Sequence, residues 1–207
     1  THTNASWDAA KFEICAHRWV HVGEPGYGAA LVNDGTYGHD VTRRPPGDGL
    51  GAAATTVRLT LLRAPLYPDP QTDQGRHRFG FSLVCGADIA DAVREGYRAH
   101  LPVRRVTGAG AVAPVVAVDD PAVVVEAVKL ADDRSGDVVV RLYESLGGRA
   151  RARVTAGFAL AGATACDLLE REDPEIAALV PLVVDGDAVD LALKPFQVVT
   201  LRLRPAR

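Results

Sequence analysis

The chain has 207 residues, 47% of them hydrophobic, with a formal net charge of −3 and a pI near 6.0. That length accommodates one large or two small globular domains with a proper core. The balance carries no electrostatic footprint for nucleic acid, and no run approaches the roughly 18 apolar residues of a membrane-spanning helix.

Residues 1–10 are polar and read as a frayed lead-in, in which Asn4-Ala5-Ser6 matches a glycosylation acceptor by chance. Phe12, Ile14 and Ala16 alternate with Lys11, Glu13 and Cys15, a strand pattern. His17, Trp19 and His21 share the next period-two face. Paired histidines at that spacing can ligate a metal, but no carboxylate or thiolate beside them completes a set, and strand-rim positions with tips in water are expected instead. Pro25-Gly26 centres a turn, Ala29–Val32 is a short strand, Asn33-Asp34-Gly35 is a tight turn, and Tyr37–Val41 returns from it. Arg43–Thr55, RRPPGDGLGAAAT, reads as an exposed loop. Its glycines do not follow phosphate-loop spacing and no Lys-Ser or Lys-Thr ends it, which argues against nucleotide binding.

Val57–Phe81, VRLTLLRAPLYPDPQTDQGRHRFGF, is the stretch around which the rest is arranged. Val57, Leu59 and Leu61 alternate with Arg58 and Thr60, and Arg63 falls in the same row as the apolar residues. A guanidinium at the end of a core-facing row needs a carboxylate or a sugar hydroxyl. Pro65, Pro68 and Pro70 then forbid strand pairing. Asp69, Asp73, Arg76 and His77 crowd the elbow, where internal ion pairing is the plain expectation and a catalytic dyad of Asp69 and Asp73 the sharp one. His77, Phe79, Phe81, Leu83 and Cys85 form a second alternating row.

Residues 86–100 carry the one clear helix, with Asp88 as N-cap, Asp91 as its capping partner and Ile89, Ala92, Val93 and Tyr97 on one face. Residues 107–114 read as a linker. Beyond them the pattern is β only. Val123–Leu130 reads as a buried strand, and Val138, Val140 and Leu142 mark the next. Gly147-Gly148 reads as a hairpin turn, after which Arg149, Arg151 and Arg153 face solvent. Cys166–Leu169 reads as a short strand, and Val189–Leu193 and Gln197–Leu203 close the domain with Thr200, Arg202 and Arg204 outward. No repeat with a period of about 20–50 residues is present. Cys15, Cys85 and Cys166 sit far apart in apolar settings and are expected as buried free thiols of a reducing, cytoplasmic compartment, the alternative being one disulfide and an orphan thiol. The chain starts at Thr1 and contains no methionine, so a fragment or processed piece is expected.

RLTLLRAPLYPDPQTDQGRHRF resembles a signature of glycoside hydrolase family 38, the class II α-mannosidases, in the β-rich part after their catalytic domain. HRWVHVGEPGYGAALVNDGTYGHDV at His17–Val41, VVVEAVKLADDRSGDVVVRLYESLGGRARARV at Val123–Val154 and KPFQVVTLRLR at Lys194–Arg204 resemble the same family's motifs in the same order. The resemblance implies an all-β fold: part of a large, supersandwich-like β-sandwich with one short helix over residues 1–106, then a small terminal antiparallel β-sandwich over 115–207. It implies a bacterial-type parent that hydrolyses α-mannosides with retention, using zinc on a catalytic domain with no match here. This chain would be silent alone, supporting that domain and lining the rim of its cleft. Arg63 corresponds to a family arginine near the sugar cleft, and Asp69, Asp73, Arg76 and His77 are its companion rim candidates. An ion pair inside residues 1–106 is the competing expectation for Arg63. The expected partners are the catalytic domain, an α-mannoside and, through an apolar surface left open in the first domain, a second copy. Neither nucleic acid nor membrane is expected. Two other classes remain: a free-standing carbohydrate-binding or assembly module, which needs an exposed aromatic platform, and a metal enzyme using His17, His21 and His77, which lacks ligands.

Overall fold

A computed structural model of the chain describes residues 6–9, 11–44, 53–108 and 110–206. The architecture is all-β, with antiparallel sheets throughout the described residues. The chain divides into two compact units, Thr1–Arg104 and Arg105–Arg207.

The first unit contains α1 (Ser6–Ala9), β1 (Ile14–Cys15), β2 (Trp19–Glu24), β3 (Tyr27–Asn33), β4 (Gly38–Arg44), β5 (Ala54–Leu59), β6 (Phe81–Cys85) and α2 (Ile89–His100). It holds two three-stranded sheets, ordered β1-β4-β5 and β2-β3-β6. The Pro25-Gly26 hairpin joins β2 to β3, with Glu24 opposite Tyr27. The Asn33-Asp34-Gly35 turn is present, Asn33 Oδ1 accepting from Gly35 N at 3.1 Å. It makes no hairpin, however, because β4 leaves β3 and pairs with β1 and β5 in the other sheet. The strand read at residues 11–16 shrinks to Ile14-Cys15, and Phe12 is exposed. Residues 45–52 of the expected Arg43–Thr55 loop lie outside the described residues.

α2 is the expected helix. Asp88 Oδ1 accepts from Asp91 N at 2.7 Å and Asp91 Oδ2 from Asp88 N at 3.1 Å, a reciprocal capping box. Ala92, Val93 and Gly96 are its buried residues. Gly96 permits close approach: a Cβ there would lie 2.8 Å from Trp19 Cδ1. Trp19, Ala30, Val84, Ala87 and Ala92 form the small core beneath the helix. His21 turns inward, its Nε2 bonding the Ala87 carbonyl at 2.8 Å, so it is not the water-facing rim residue that alternation suggests. His39, which nothing in the sequence pattern marks, is fully buried on β4.

The second unit contains β7 (Val116–Val118), β8 (Val123–Leu130), β9 (Val138–Glu144), β10 (Ala150–Ala156), β11 (Leu160–Cys166), α3 (Pro174–Leu179), β12 (Val183–Asp185), β13 (Ala188–Leu193) and β14 (Val198–Pro205). Two four-stranded sheets, β12-β13-β10-β7 and β11-β14-β9-β8, share one apolar core of Val140, Leu142, Val154, Val189, Leu201, Leu203 and their neighbours. Opposed inner faces of this kind define a β-sandwich.

Two strand readings and one turn reading change here. The apolar run of β8 is an edge strand, buried at Val123 but open at Val128 and Leu130. The strand expected at Cys166–Leu169 ends at Cys166, and Asp167–Glu170 is a turn in which Glu170 N bonds Asp167 O at 3.0 Å. Gly147-Gly148 carries the chain from one sheet to the other, since β9 and β10 do not pair. Arg202 also departs from its outward assignment. It is 12% exposed and bonds Asp137 Oδ2 at 2.6 Å, Ser135 Oγ at 2.9 Å and the Asp133 carboxylate. Of the three thiols, Cys166 is buried while Cys15 and Cys85 are exposed, against the expectation that all three are buried.

Candidate functional site

The rim candidates lie between β5 and β6. β5 ends at Leu59, and Thr60 N makes a last bond to Gly38 O at 2.9 Å. From Leu61 to Arg78 the chain runs free of both sheets, and every residue but Thr72 is exposed. The core-facing row therefore stops before Arg63, whose side chain stands in solvent. The prolines explain the departure: Pro65, Pro68 and Pro70 supply no N–H for a ladder.

The elbow is ordered by its own backbone. Asp69 Oδ1 accepts from Gln71 N at 2.9 Å, and the Asp69 carbonyl accepts from Thr72 Oγ1 at 2.7 Å. Gln74 Nε2 donates to Pro70 O at 3.1 Å. His77 Nε2 donates to the Asp73 carbonyl at 2.6 Å and stacks on Phe79, ring centroids 5.9 Å apart and nearly parallel. Asp73 adopts a φ of 53°, in the left-handed region that short polar side chains tolerate.

The expected internal ion pairing is thus absent: among the described residues, Asp69, Asp73, Arg63 and Arg76 make no salt bridge. Short-range bonds to backbone have taken that role, because Asp and Thr in a proline-framed turn reach main-chain groups more readily than each other. The structure joins Asp73 to His77 through a carbonyl and leaves Arg63 and Arg76 without a carboxylate partner. Tyr67, 88% exposed, and Leu66 belong to the same exposed elbow. Sequence reasoning passed over both, although apolar residues between prolines in a charged loop are themselves a signal for a covered surface.

Among the described residues, no three His, Cys, Asp or Glu side chains gather closely enough to hold a metal ion. His17 packs edge-on against Tyr37 and His100, with centroids 5.1 Å and 5.8 Å away, while His21 bonds Ala87. The three histidines of the metal-enzyme reading are therefore engaged separately. Trp19 packs under α2 and offers no stacking platform for a sugar. Among the described residues, no helix is long and apolar enough to cross a membrane.

Two family models match the chain in order: the glycosyl hydrolases family 38 C-terminal domain over residues 1–71, and that family's C-terminal beta sandwich domain over residues 122–201. Human alpha-mannosidase 2C1 is 35% identical over 98% of the chain, which covers 19% of that protein. A Saccharomyces cerevisiae alpha-mannosidase is 27% identical over 98% of the chain, which covers 20% of it. An alpha-mannosidase structure from Enterococcus faecalis superposes with a TM-score of 0.63 at 18% identity, over 97% of this chain and 22% of that one. The chain spans about a fifth of the length of these curated relatives.

Proposed function

Because the chain belongs to glycosyl hydrolase family 38, in its C-terminal β-rich region, we propose that it is part of a longer α-mannosidase that cleaves α-mannosides with retention. The observation that carries this reading is the end-to-end likeness to a curated alpha-mannosidase, with both family domains matched in the right order. The chain itself buttresses a catalytic domain outside it and supplies part of the cleft rim through the elbow at residues 61–79. We take residues 1–106 and 115–207 as its two domains and 107–114 as their linker. The compartment is the cytoplasm, a reading supported by three unpaired thiols.

A retaining glycosidase needs a nucleophilic carboxylate and a second carboxyl about 5 Å away across the scissile bond. Asp69 has one oxygen engaged by its own turn, and neither Asp69 nor Asp73 is set in a pocket. Among the described residues no three His, Cys, Asp or Glu side chains gather to hold the zinc that the family resemblance implies, and we assign that ion to the catalytic domain. The contribution of this chain is positional. Arg63, charged and with no salt bridge among the described residues, faces the catalytic domain and donates to a mannoside hydroxyl or to a carboxylate beside it.

The test is an assay of the purified chain and of the longer gene product with an aryl α-mannoside and added Zn²⁺. The expected result is turnover by the longer product and none by the chain. Turnover by the chain alone, lost in Asp69→Ala or Asp73→Ala, overturns the reading.

A further inference from the structure

β6 lies at one edge of the sheet β2-β3-β6, and among the described residues no strand pairs with its other side. Its bonding phase follows from one contact. Asp34 N donates to Gly80 O at 3.1 Å, and the register places Asn33 opposite Phe81. In an antiparallel ladder, bonded and non-bonded pairs alternate. Ser82 and Val84 therefore bond β3, whereas Phe81, Leu83 and Cys85 turn their N–H and C=O groups to the open side.

The side chains on this strand match that opening. Phe81 is 61% exposed, Leu83 67%, and Cys85 is exposed as well. They project from the face away from Val84, which packs under α2. Gly80–Ala87, GFSLVCGA, contains no charge and no proline. Exposed edges in natural proteins are guarded by lysine, proline or a bulge, and an unguarded apolar edge is a template for another strand. The curated relatives are about five times as long as the chain, so most of such a polypeptide lies outside it.

We propose that the open edge of β6 is completed by a strand from the part of the longer polypeptide outside this chain, with Phe81 and Leu83 seated against an apolar face of that part. The inference rests on the reading of the chain as a piece of a longer enzyme, and it names the surface through which the pieces join.

Amide hydrogen exchange at residue resolution, on the longer gene product and on the chain in dilute monomeric solution, tests it. Ser82 and Val84 are protected in both. Phe81, Leu83 and Cys85 exchange at least about tenfold more slowly in the longer product. Leu83→Pro removes an outward N–H, so it lowers the Tm of the longer product and spares the chain, while Ser82→Pro breaks the β3 ladder and lowers both. Equal exchange at the three amides overturns the proposal, as does a gene product no longer than the chain. A dimer of the longer product that Leu83→Pro dissociates also overturns it, in favour of a second copy. Mannosidase activity is scored separately: protection without activity refutes the catalytic reading, and activity without protection refutes the strand.

Discussion

The carboxylate of Glu144 accepts the backbone N–H of Phe196 at 2.9 Å, across 52 positions of sequence. The same carboxylate takes Leu146 N at 2.9 Å, Gly147 N at 2.8 Å and Gly148 N at 3.2 Å. One fully buried acid thus collects four main-chain donors where the chain crosses between sheets. The Phe196 ring lies over Gly147, whose φ of 79° a side chain resists.

Burial pushes the Glu144 carboxyl up, and the four backbone donors outweigh it, holding it below the ordinary glutamate value. A depressed carboxyl stabilises the fold above its unfolded pKa, near 4.5, and that stability is lost as pH falls through the lower folded value. Glu144→Gln, which turns an amide toward N–H donors, is expected to cost roughly 2–4 kcal/mol. Urea unfolding at pH 7 and at pH 4 measures it. The gap between wild type and variant narrows on acidification.

Arg202 supplies a second test. Its guanidinium holds the Asp133 carboxyl well below the usual carboxylate range, first through their shared hydrogen bond. Arg202→Ala removes the guanidinium that Asp133 and Asp137 both bond and is expected to destabilise the second unit by about 1.5–3 kcal/mol. Arg202→Lys recovers part of this, because an ammonium cannot reproduce the fork that reaches Asp137, Asp133 and Ser135. Thermal unfolding ranks the three proteins.

Gly96→Ala pits helix propensity against packing. Alanine gains about 1 kcal/mol in a helix interior, but its Cβ meets Trp19 at 2.8 Å. Overpacking costs about 1–3 kcal/mol, so the variant is expected to be less stable. A raised Tm would show that Trp19 moves aside freely.

Arg63→Ala in the longer enzyme is expected to lower kcat/KM by about tenfold to a hundredfold, as a charged hydrogen bond of roughly 1.5–3 kcal/mol requires. Its exposure, with no salt bridge among the described residues, predicts an unchanged Tm. Arg63→Lys restores the rate incompletely. Unchanged kinetics would remove Arg63 from the cleft.

The helix at residues 89–100 was legible because its cap and its apolar face agree. The core strands β9 and β14 were legible from alternation alone. Sheet membership was not: Asn33-Asp34-Gly35 and Gly147-Gly148 have hairpin chemistry, yet each passes the chain to a different sheet, a choice made by distant partners. Arg63 was misplaced because period two was extended past Leu59, where the ladder ends. Glu144 escaped notice because an acid before Ser-Leu-Gly-Gly looks like an ordinary turn residue until Phe196 arrives from the far end of the unit.

β14 is the last strand in sequence, yet it lies between β9 and β11. A ribosome delivers it after every other strand of the unit. Until then β9 and β11 each carry a bare edge, and the core lacks Val199, Leu201 and Leu203. The second unit is therefore closed by its final strand, and chaperones or aggregation partners compete for those edges throughout synthesis. A protease clipping within Val198–Pro205 would remove a central strand, and with it the whole unit.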